Sequence, residues 1–237
     1  MTTAIILAGG LGTRLRAAVP DLPKPMAPID GRPFLEHQMD YWLDQGVRRF
    51  ILSVGYRREH IIGHFGRRYR GAAIEYAIEE QPLGTGGGLS LALALLKGDE
   101  PVLLLNGDTF FEATLASLRD FFQARRAQWV FSLFRTDEAG RYMGMAVDDD
   151  GCTTSLRSGH SVVGALANAG VYLVDPGAVR AANFQPGERF SLEDDLLPRL
   201  QSSGARLYGK EFSGRFIDIG VPADYARAAA ILRREKE

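Results

Sequence analysis

The residues with the clearest chemical use stand in a glycine-rich segment that follows the first apolar run of the chain. Three glycines lie within four positions there: Gly9, Gly10 and Gly12. Glycines at this density let the backbone approach a ligand closely, with its N–H groups free to donate to an anion. Arg14 comes next and offers the two-pronged charge that suits a phosphate, and Lys24 stands between two prolines that keep its backbone stiff. The segment therefore predicts a phosphate-binding loop.

Two other known phosphate loops do not fit this spacing. A P-loop requires a lysine, followed by serine or threonine, directly after its second glycine, and this segment has no lysine at that place. The dinucleotide-binding fingerprint requires glycine where Leu15 stands, if Gly10 and Gly12 are its first two glycines. Both alternatives are excluded by their own patterns.

Two aspartates at the ends of apolar runs are candidates for a metal site. Asp108 follows the apolar residues 102–105, and Asp218 lies within the apolar segment 216–220. A carboxylate at the carboxyl end of a buried strand points into the ligand crevice of an α/β sheet. Two such groups, with substrate phosphates as further ligands, suit Mg²⁺. From the residues alone, a helix cap or a turn is an equal alternative for Asp108 and the more ordinary one for Asp218.

The elements that position these residues follow from hydrophobic periodicity. Strands are predicted at five apolar runs: residues 5–7, 50–54, 74–78, 102–105 and 129–133. Helical spacing between them predicts three helices: residues 34–43, 89–96 and 115–122. This alternation predicts parallel strands with crossover helices, an α/β fold with a Rossmann-like doubly wound sheet. The glycine-rich turns around Gly9 and Gly84 both follow strands, where open α/β sheets bind ligands.

After about Arg135 the pattern changes to short strands separated by turns. The strands are predicted at three places: residues 143–147, 153–156 and 169–174. The acidic residues 148–150 are interpreted as a hairpin turn in preference to a metal site. Helices are predicted at residues 192–200, capped by Ser191, and at residues 222–234. We expect a single domain over residues 1–237, in which about 1–135 form the larger half and about 136–237 a smaller lobe with a closing helix.

Composition limits the partners of the chain. A formal net charge of −1 argues against a broad electrostatic grip on nucleic acid. The apolar runs are far shorter than the roughly 20 residues that span a bilayer, so no membrane insertion is expected. The single cysteine, Cys152, fits a reducing compartment, and we expect the protein to be cytoplasmic. Phenylalanines at 110–111 and 121–122 are candidates for a homodimer contact, with core packing as the ordinary explanation.

The loop and the lysine together support a resemblance to a known family. Residues 9–15, followed by Pro-Lys-Pro at 23–25, resemble the signature of the sugar-1-phosphate nucleotidyltransferases, and the match continues in order to Tyr225. The resemblance implies a GT-A-like nucleotidyltransferase fold with a nucleotide-binding half and a smaller sugar-binding lobe. It implies that the loop surrounds a nucleoside triphosphate, with Arg14, Lys24 and Asp108 as catalytic residues and Asp108 and Asp218 as ligands of Mg²⁺. It also implies nucleotide contacts at several loop positions: Leu7, Ala8, Gly9, Gly10, Gly12 and Thr13.

Later segments of the chain are similar to the parts of that family that contact the base and the sugar. The resemblance implies that four residues after the third predicted strand contact the nucleobase: Gln81, Gly84, Thr85 and Gly86. Glu80 is an alternative acceptor for a guanine edge, and the choice between Glu80 and Gln81 stays open. The implied sugar contacts are Asn106, Gly107, Asn168, Gly170 and Glu193. The sugar phosphate that attacks is already ionised, so the implied chemistry needs no general base. Four scattered histidines are accordingly interpreted as surface or structural residues: His37, His60, His64 and His160.

Within the family, residues 23–29, 32–37 and 82–87 are most similar to members that use GTP and D-glycero-α-D-manno-heptose 1-phosphate. The chain departs from many relatives at residues 155–159, where a family Glu-Lys pair is replaced. Arg157 is a candidate replacement for the lysine, but the glutamate has no successor, which puts a glucose- or thymidylyl-type sugar contact in doubt. The alternatives are transfer of GMP to mannose 1-phosphate, transfer of UMP to N-acetylmuramate 1-phosphate, or an inactive regulatory subunit that binds nucleotide sugars.

Overall fold

The apolar runs of the chain become the strands of the protein, and the computed structural model describes residues 2–157 and 161–233. In chain order the strands are β1 (Thr2–Leu7), β2 (Pro28–Ile29), β3 (Arg32–Pro33), β4 (Val47–Val54), β5 (Arg68–Tyr69), β6 (Ala72–Ile78), β7 (Val102–Asn106), β8 (Thr109–Phe111), β9 (Trp129–Arg135), β10 (Gly144–Val147), β11 (Thr153–Arg157), β12 (Leu166–Val174), β13 (Leu207–Glu211) and β14 (Phe216–Asp218). The five strands predicted in the first half fall within β1, β4, β6, β7 and β9 and are confirmed.

One mixed sheet carries most of these strands, in the order β11-β10-β12-β7-β1-β4-β6-β5, with β9 paired to β12 and β13 paired to β9. The strands β7, β1, β4 and β6 are parallel to one another. The strand β12 runs antiparallel to β7 and β9, which makes the sheet mixed. Because β1 lies between two parallel partners, the loop that follows it opens at the carboxyl edge of the sheet.

Helices cover both faces of this sheet. They are α1 (Phe34–Asp44), α2 (Arg58–Phe65), α3 (Gly84–Leu93), α4 (Leu115–Ala124), α5 (Pro176–Ala181), α6 (Leu197–Ser202) and α7 (Pro222–Leu232). Successive residues of a strand point to opposite faces. Accordingly Ala4 and Ile6 of β1 pack with α1, α2 and α4, whereas Ile5 packs with α3, α5 and α6. Two buried cores around one sheet confirm the doubly wound architecture.

A third and smaller core joins the end of the chain to its beginning. The closing helix α7 contributes Ala228 and Leu232, which pack with Leu15 and Val19 from the segment after the glycine-rich loop. In the same core lies Ile217 of β14. The hydroxyl of Tyr225 on α7 donates to the Pro28 carbonyl at 2.8 Å. The last helix therefore supports the loop on which the phosphate prediction depends.

An ion cluster around Asp40 of α1 connects this helix to the edge strand β5. Asp40 accepts from Arg32 at 2.5 Å, from the Tyr69 hydroxyl at 3.0 Å and lies 2.7 Å from Arg70. Burial alone would raise the pKa of the Asp40 carboxyl, but the bonds from Arg32, Arg70 and Tyr69 together hold that pKa below its ordinary value. The folded state therefore prefers the ionised form of Asp40.

Within residues 2–157 and 161–233, no helix combines the length and the apolar character needed to cross a membrane.

The phenylalanines considered for a homodimer contact pack mostly against other residues of the same chain. Phe110, Phe111 and Phe122 are buried, and Phe121 is half-buried against the core of the α1 face. Core packing therefore accounts for them.

Candidate active site

A cavity of about 690 Å³ opens at the carboxyl ends of β1 and β7. Most positions predicted for the site line it: Leu7, Ala8, Gly9, Gly10, Gly12, Thr13, Arg14, Lys24, Gly84, Thr85, Asn106, Gly107, Asp108, Asn168, Gly170, Glu193 and Asp218. Both halves of the chain contribute, because β12, β14 and the segment around Glu193 return to the same edge. A volume of about 690 Å³ is within the usual range of small-molecule binding sites.

The glycine-rich loop is packed closely against a buried carboxylate. A Cβ atom at Gly9 would lie 2.3 Å from Oε1 of Glu79, so any other residue there would displace the Glu79 carboxylate or the loop. Glu79 is 8% exposed, and its two oxygens accept from the Ser53 hydroxyl at 2.9 Å and from the Leu83 amide at 3.0 Å. Glu79 thus ties the phosphate loop, β4 and the segment before α3 together. It also lines the cavity.

The two cations predicted for the phosphates lie at different depths. Arg14 is exposed at the cavity wall, whereas the Lys24 side chain is only 10% exposed. Lys24 begins a short 3₁₀ turn, Lys24–Met26, that Pro23 precedes and Pro25 continues. Its ammonium makes an ion pair with Oδ2 of Asp108. The lysine therefore meets one of the two predicted metal ligands directly.

The two predicted metal ligands come together through a short antiparallel ladder. Asp218 of β14 pairs with Thr109 of β8, the residue next to Asp108. The Ile219 amide donates to the Asp108 carbonyl at 3.0 Å, which extends the ladder by one more bond. Residues more than a hundred positions apart in sequence therefore present their carboxylates to one cavity.

The groups around Asp218 act on its carboxyl in opposite directions. Burial raises the pKa of the Asp218 carboxyl, and the nearby Asp108 carboxylate raises it further, while Lys24, the Gly220 amide and Arg141 act in the opposite direction. The Gly220 N–H donates to Oδ1 of Asp218 at 2.6 Å. Across the described ranges 2–157 and 161–233, no group of three or more His, Cys, Asp or Glu side chains is arranged to hold a metal. A cation here would take two protein carboxylates and obtain its other ligands from a substrate.

Only part of the segment predicted to contact the base lines the cavity. Gly84 and Thr85 line the cavity, but Gln81 and Gly86 do not. The Gly86 amide already donates to the Phe190 carbonyl at 3.1 Å, and a Cβ atom there would meet the Phe190 ring at 2.3 Å. Glu80 does not line the cavity and pairs with Arg58 at 3.0 Å. Of the acidic and amide side chains at 79–81, the one that lines the cavity is Glu79.

The residues predicted for the sugar side form a connected set. The Asn168 amide donates to the hydroxyl of the fully buried Tyr172 at 2.8 Å, and its oxygen accepts from the Gly170 amide at 3.1 Å. Gly170 has φ +69°, and a Cβ atom there would lie 2.8 Å from Nδ2 of Asn106. Asn106 ends β7, so the strand that leads to Asp108 packs directly on this set.

Thr85 joins the base side of the cavity to the sugar side. Its hydroxyl donates to Oε2 of Glu193 at 3.0 Å and accepts from the Leu192 amide at 2.8 Å. Ser191 caps the following helical turn by accepting from the Asp194 amide at 3.0 Å, as predicted. Thr85 therefore holds Glu193 at the cavity in two ways, through the Glu193 carboxylate itself and through the amide of the preceding residue, Leu192.

Several cavity residues were not predicted from the sequence: Glu79, Thr109, Arg141, Tyr142, Met143, Arg189 and Phe216. Arg141 and its two successors lie in the irregular segment between β9 and β10, where no periodicity or glycine pattern marks them. Arg189 is an exposed cation at the wall formed by the second half. In the sequence, Glu79 cannot be distinguished from the neighbouring glutamate, Glu80. Only the burial of Glu79 in the structure distinguishes the two.

Other candidate groups lie outside the cavity. His37, His60 and His64 contact the Ile29 carbonyl, Glu59 and Glu36, respectively, and none of them lines it. His160 lies outside the described residues.

The acidic triplet at 148–150 forms a hairpin turn, as the sequence indicated. Asp148 accepts at Oδ1 from the amides of Asp150 and Cys152, at 3.0 and 2.8 Å. Its own amide donates to the Cys152 carbonyl at 3.0 Å and closes the turn. These contacts place Cys152 in a structural hairpin that does not line the cavity.

A family model described as nucleotidyl transferase matches residues 3–235 of the chain. The chain belongs to the nucleotidyl transferase family. The family match spans both the phosphate loop and Asp218, which agrees with a cavity assembled from both halves.

Relatives and solved structures extend this result. The chain is 40% identical over 228 residues to D-glycero-alpha-D-manno-heptose 1-phosphate guanylyltransferase from Aneurinibacillus thermoaerophilus, covering 95% of this chain and 96% of the relative. It is 32% identical to mannose-1-phosphate guanylyltransferase from Mycobacterium tuberculosis, covering 98% of this chain and 64% of that protein. The crystal structure of HddC from Yersinia pseudotuberculosis superposes with a TM-score of 0.84 at 31% identity, covering 98% of this chain and 100% of HddC, and a second structure of HddC is a complex with GMP-PN.

Proposed function

We propose that the protein transfers GMP from GTP to D-glycero-α-D-manno-heptose 1-phosphate, with release of pyrophosphate. The observation that carries this proposal is the single cavity in which the phosphate loop, two facing carboxylates and the residues around Asn168 meet. The identity of the curated relative, near 40% over almost the full length of both proteins, supports the choice of nucleotide and sugar.

The loop side of the cavity would bind the triphosphate. The amides of residues 9–13 and the guanidinium of Arg14 are donors to phosphate oxygens, and Lys24 adds a buried positive charge. These donors neutralise charge that builds on the phosphates as the bond to pyrophosphate breaks. Arg14 and Lys24 would therefore act on the transition state as well as on binding.

Glu79 is the acceptor that we propose for the guanine edge. Guanine presents its N1–H and N2–H groups side by side, so a carboxylate can accept both. Each oxygen of Glu79 accepts one protein hydrogen bond, which leaves lone pairs free, since an ionised carboxylate has about four acceptor sites. Neither Glu80 nor Gln81 lines the cavity, whereas Glu79 does.

The residues present fit a divalent cation. Asp108 and Asp218 offer hard oxygen ligands on one side of the cavity, and the raised pKa of Asp218 reflects a site where added positive charge is favourable. Mg²⁺ commonly binds through one or two carboxylates and completes its shell with substrate phosphates. When bound, it would supply charge neutralisation at the phosphates. The protein residues hold the ligands in place through the β8–β14 ladder and the Gly220 amide.

The second half of the cavity would bind the sugar phosphate. Asn168 and Glu193 are hydroxyl partners held by protein contacts, and Gly170 leaves space for the ring. Arg189 is positioned to meet an anion that enters from this side. An oxygen of the sugar phosphate then attacks the α-phosphorus in line with the departing pyrophosphate. The attacking group is already an anion, so the chain needs to orient it rather than deprotonate it.

A substrate grid tests this function. Purified protein is assayed for pyrophosphate release with GTP, UTP, dTTP, CTP and ATP, each against heptose, mannose, glucose and N-acetylmuramate 1-phosphates. We expect turnover with GTP and the heptose phosphate, and GDP-heptose in the mass spectrum. Brisk turnover of a different pair, with none for this one, would reject the substrate assignment. Absence of pyrophosphate release from every pair would favour an inactive sugar-nucleotide-binding subunit.

A further inference from the structure

The closing helix α7 reaches the active-site acids through a buried charge network. Asp224, in its first turn, is only 3% exposed. It makes an ion pair with Nη2 of Arg141 and accepts from Nε of Arg227 at 2.8 Å. Arg141 itself lines the cavity next to Asp218. Asp224, which does not line the cavity, therefore contacts and positions the guanidinium of Arg141, which does.

The strongest contacts of Arg141 are with two acids other than Asp218. Its Nη1 atom donates to both oxygens of Glu138, at 3.0 and 2.8 Å, while Nη2 is taken by Asp224. The same Nη2 atom donates to the backbone carbonyl of Asp218 at 3.4 Å and lies 3.9 Å from Oδ2 of Asp218, an ion-pair distance that is longer than a hydrogen bond. The guanidinium is thus within reach of the Asp218 carboxylate, while its hydrogen bonds go to Glu138, Asp224 and the Asp218 carbonyl.

The charges of this network leave Asp218 available. Arg141 and Arg227 balance Glu138 and Asp224, and all four make ion pairs with one another. Asp218 is outside this balance: its carboxylate interacts electrostatically with Lys24 and lies 3.9 Å from Nη2 of Arg141. If Asp224 lost its charge, Nη2 of Arg141 would be released to close the 3.9 Å gap to Asp218, and a guanidinium hydrogen-bonded there would compete with a divalent cation.

We propose that Asp224 is a positioning residue, which acts through Arg141 to keep the Asp218 carboxylate available to a divalent cation. The inference rests on the proposed function, since it assumes a cation at Asp108 and Asp218. It predicts a specific coupling: loss of the Asp224 charge should weaken the cation only while Arg141 is present.

The test measures binding without turnover. The affinity for a non-hydrolysable GTP analogue is measured by calorimetry with Mn²⁺ and again in EDTA, and the ratio of the two reports the contribution of the metal. We expect Asp224→Asn to reduce this ratio by about 10-fold, the size typical when a residue that orients a metal ligand is lost, with the affinity in EDTA unchanged. In Arg141→Gln/Asp224→Asn, the ratio should equal that of Arg141→Gln alone.

Tyr225→Phe is the matched control for a loosened helix. It removes the bond from α7 to the Pro28 carbonyl without touching Arg141, so its ratio should match that of the wild type. Asp224→Glu keeps the charge and should recover part of the lost ratio. A ratio in Asp224→Asn equal to the wild type, or a double variant as impaired as Asp224→Asn, would overturn the inference.

The same experiment separates this inference from the proposed function. If the wild type binds the analogue equally with Mn²⁺ and in EDTA, or Asp218→Asn keeps the metal-dependent ratio, the cation site itself is wrong. If Asp218→Asn abolishes the ratio and Asp224→Asn leaves it intact, the cation site stands and the positioning role of Asp224 fails.

Discussion

The contact between Gly9 and Glu79 allows a quantitative prediction. In Gly9→Ala the new methyl group would lie 2.3 Å from Oε1 and 3.0 Å from the carboxyl carbon of Glu79. These distances are shorter than van der Waals contact, so one of the two residues must move. The Glu79 side chain can move only by leaving Ser53 and Leu83, its two hydrogen-bond donors.

The size of the effect follows from those two bonds. A hydrogen bond of this kind contributes about 1–1.5 kcal/mol to folding, so losing both lowers the free energy of unfolding by about 2–3 kcal/mol. In a chain of this length 1 kcal/mol shifts the Tm by roughly 2–4 °C, which gives a decrease of about 4–12 °C. The displaced carboxylate also leaves the cavity wall, so GTP binding should weaken.

Thermal unfolding followed by circular dichroism measures the Tm, and calorimetry measures the affinity for the GTP analogue. Gly10→Ala is the matched control for stability, because a Cβ atom at Gly10 meets nothing within 4 Å. We expect its Tm to stay within about 1 °C of the wild type, in keeping with the small effect of surface substitutions. If Gly9→Ala unfolds at the same temperature as Gly10→Ala and binds the analogue normally, the crowding argument is refuted.

Four further variants test the site and the fold. Asp108→Asn or Asp218→Asn should keep the circular dichroism spectrum and lose most pyrophosphate release; near-normal turnover at low Mg²⁺ would contradict the metal assignment. Arg14→Ala should lower kcat more than it raises KM, because charge grows on the phosphates in the transition state; a pure KM effect would make Arg14 a binding residue only. Asp40→Asn should lower the Tm at pH 7, and the deficit should shrink as the pH falls below about 4, because the depressed pKa of Asp40 stabilises the fold only while that carboxyl is ionised. If the difference in Tm between Asp40→Asn and the wild type stays constant down to pH 3, the ionised Asp40 carboxyl does not stabilise the fold in the way proposed.

The parts of the fold predicted from sequence are those with a strong local pattern. The first apolar run forms β1, and the apolar run before Asp108 forms β7, because both strands are buried on two faces. The glycine-rich loop after β1 was visible in the sequence, and two of its glycines have structural reasons: Gly9 is packed against Glu79, and Gly12 has φ +59°, which other residues rarely adopt. The helix Arg58–Phe65 was missed, since only Ile61 and Phe65 in it are buried and the apolar stripe is too sparse to detect.

The parts that sequence reasoning missed depend on distant contacts. The strands β8 and β14 have three residues each, and their pairing brings Asp218 to Asp108 across more than a hundred positions. The sequence indicated both acids but not the ladder that joins them. Glu79 illustrates a different difficulty: at the end of β6 the apolar Ile78 is 39% exposed while the acidic Glu79 is buried, which reverses the ordinary rule.

The pairing of β14 with β8 has a consequence for how activity appears during folding. Contacts between segments so far apart close a long loop and therefore form slowly relative to local structure. A nascent or refolding chain can acquire the loop after β1 and the first half of the sheet while Asp218 is still unplaced. Such an intermediate would hold a triphosphate without its second acid. In a refolding experiment, recovered turnover should consequently lag behind recovered circular dichroism, and the lag reports the docking of β14 (Phe216–Asp218) on β8.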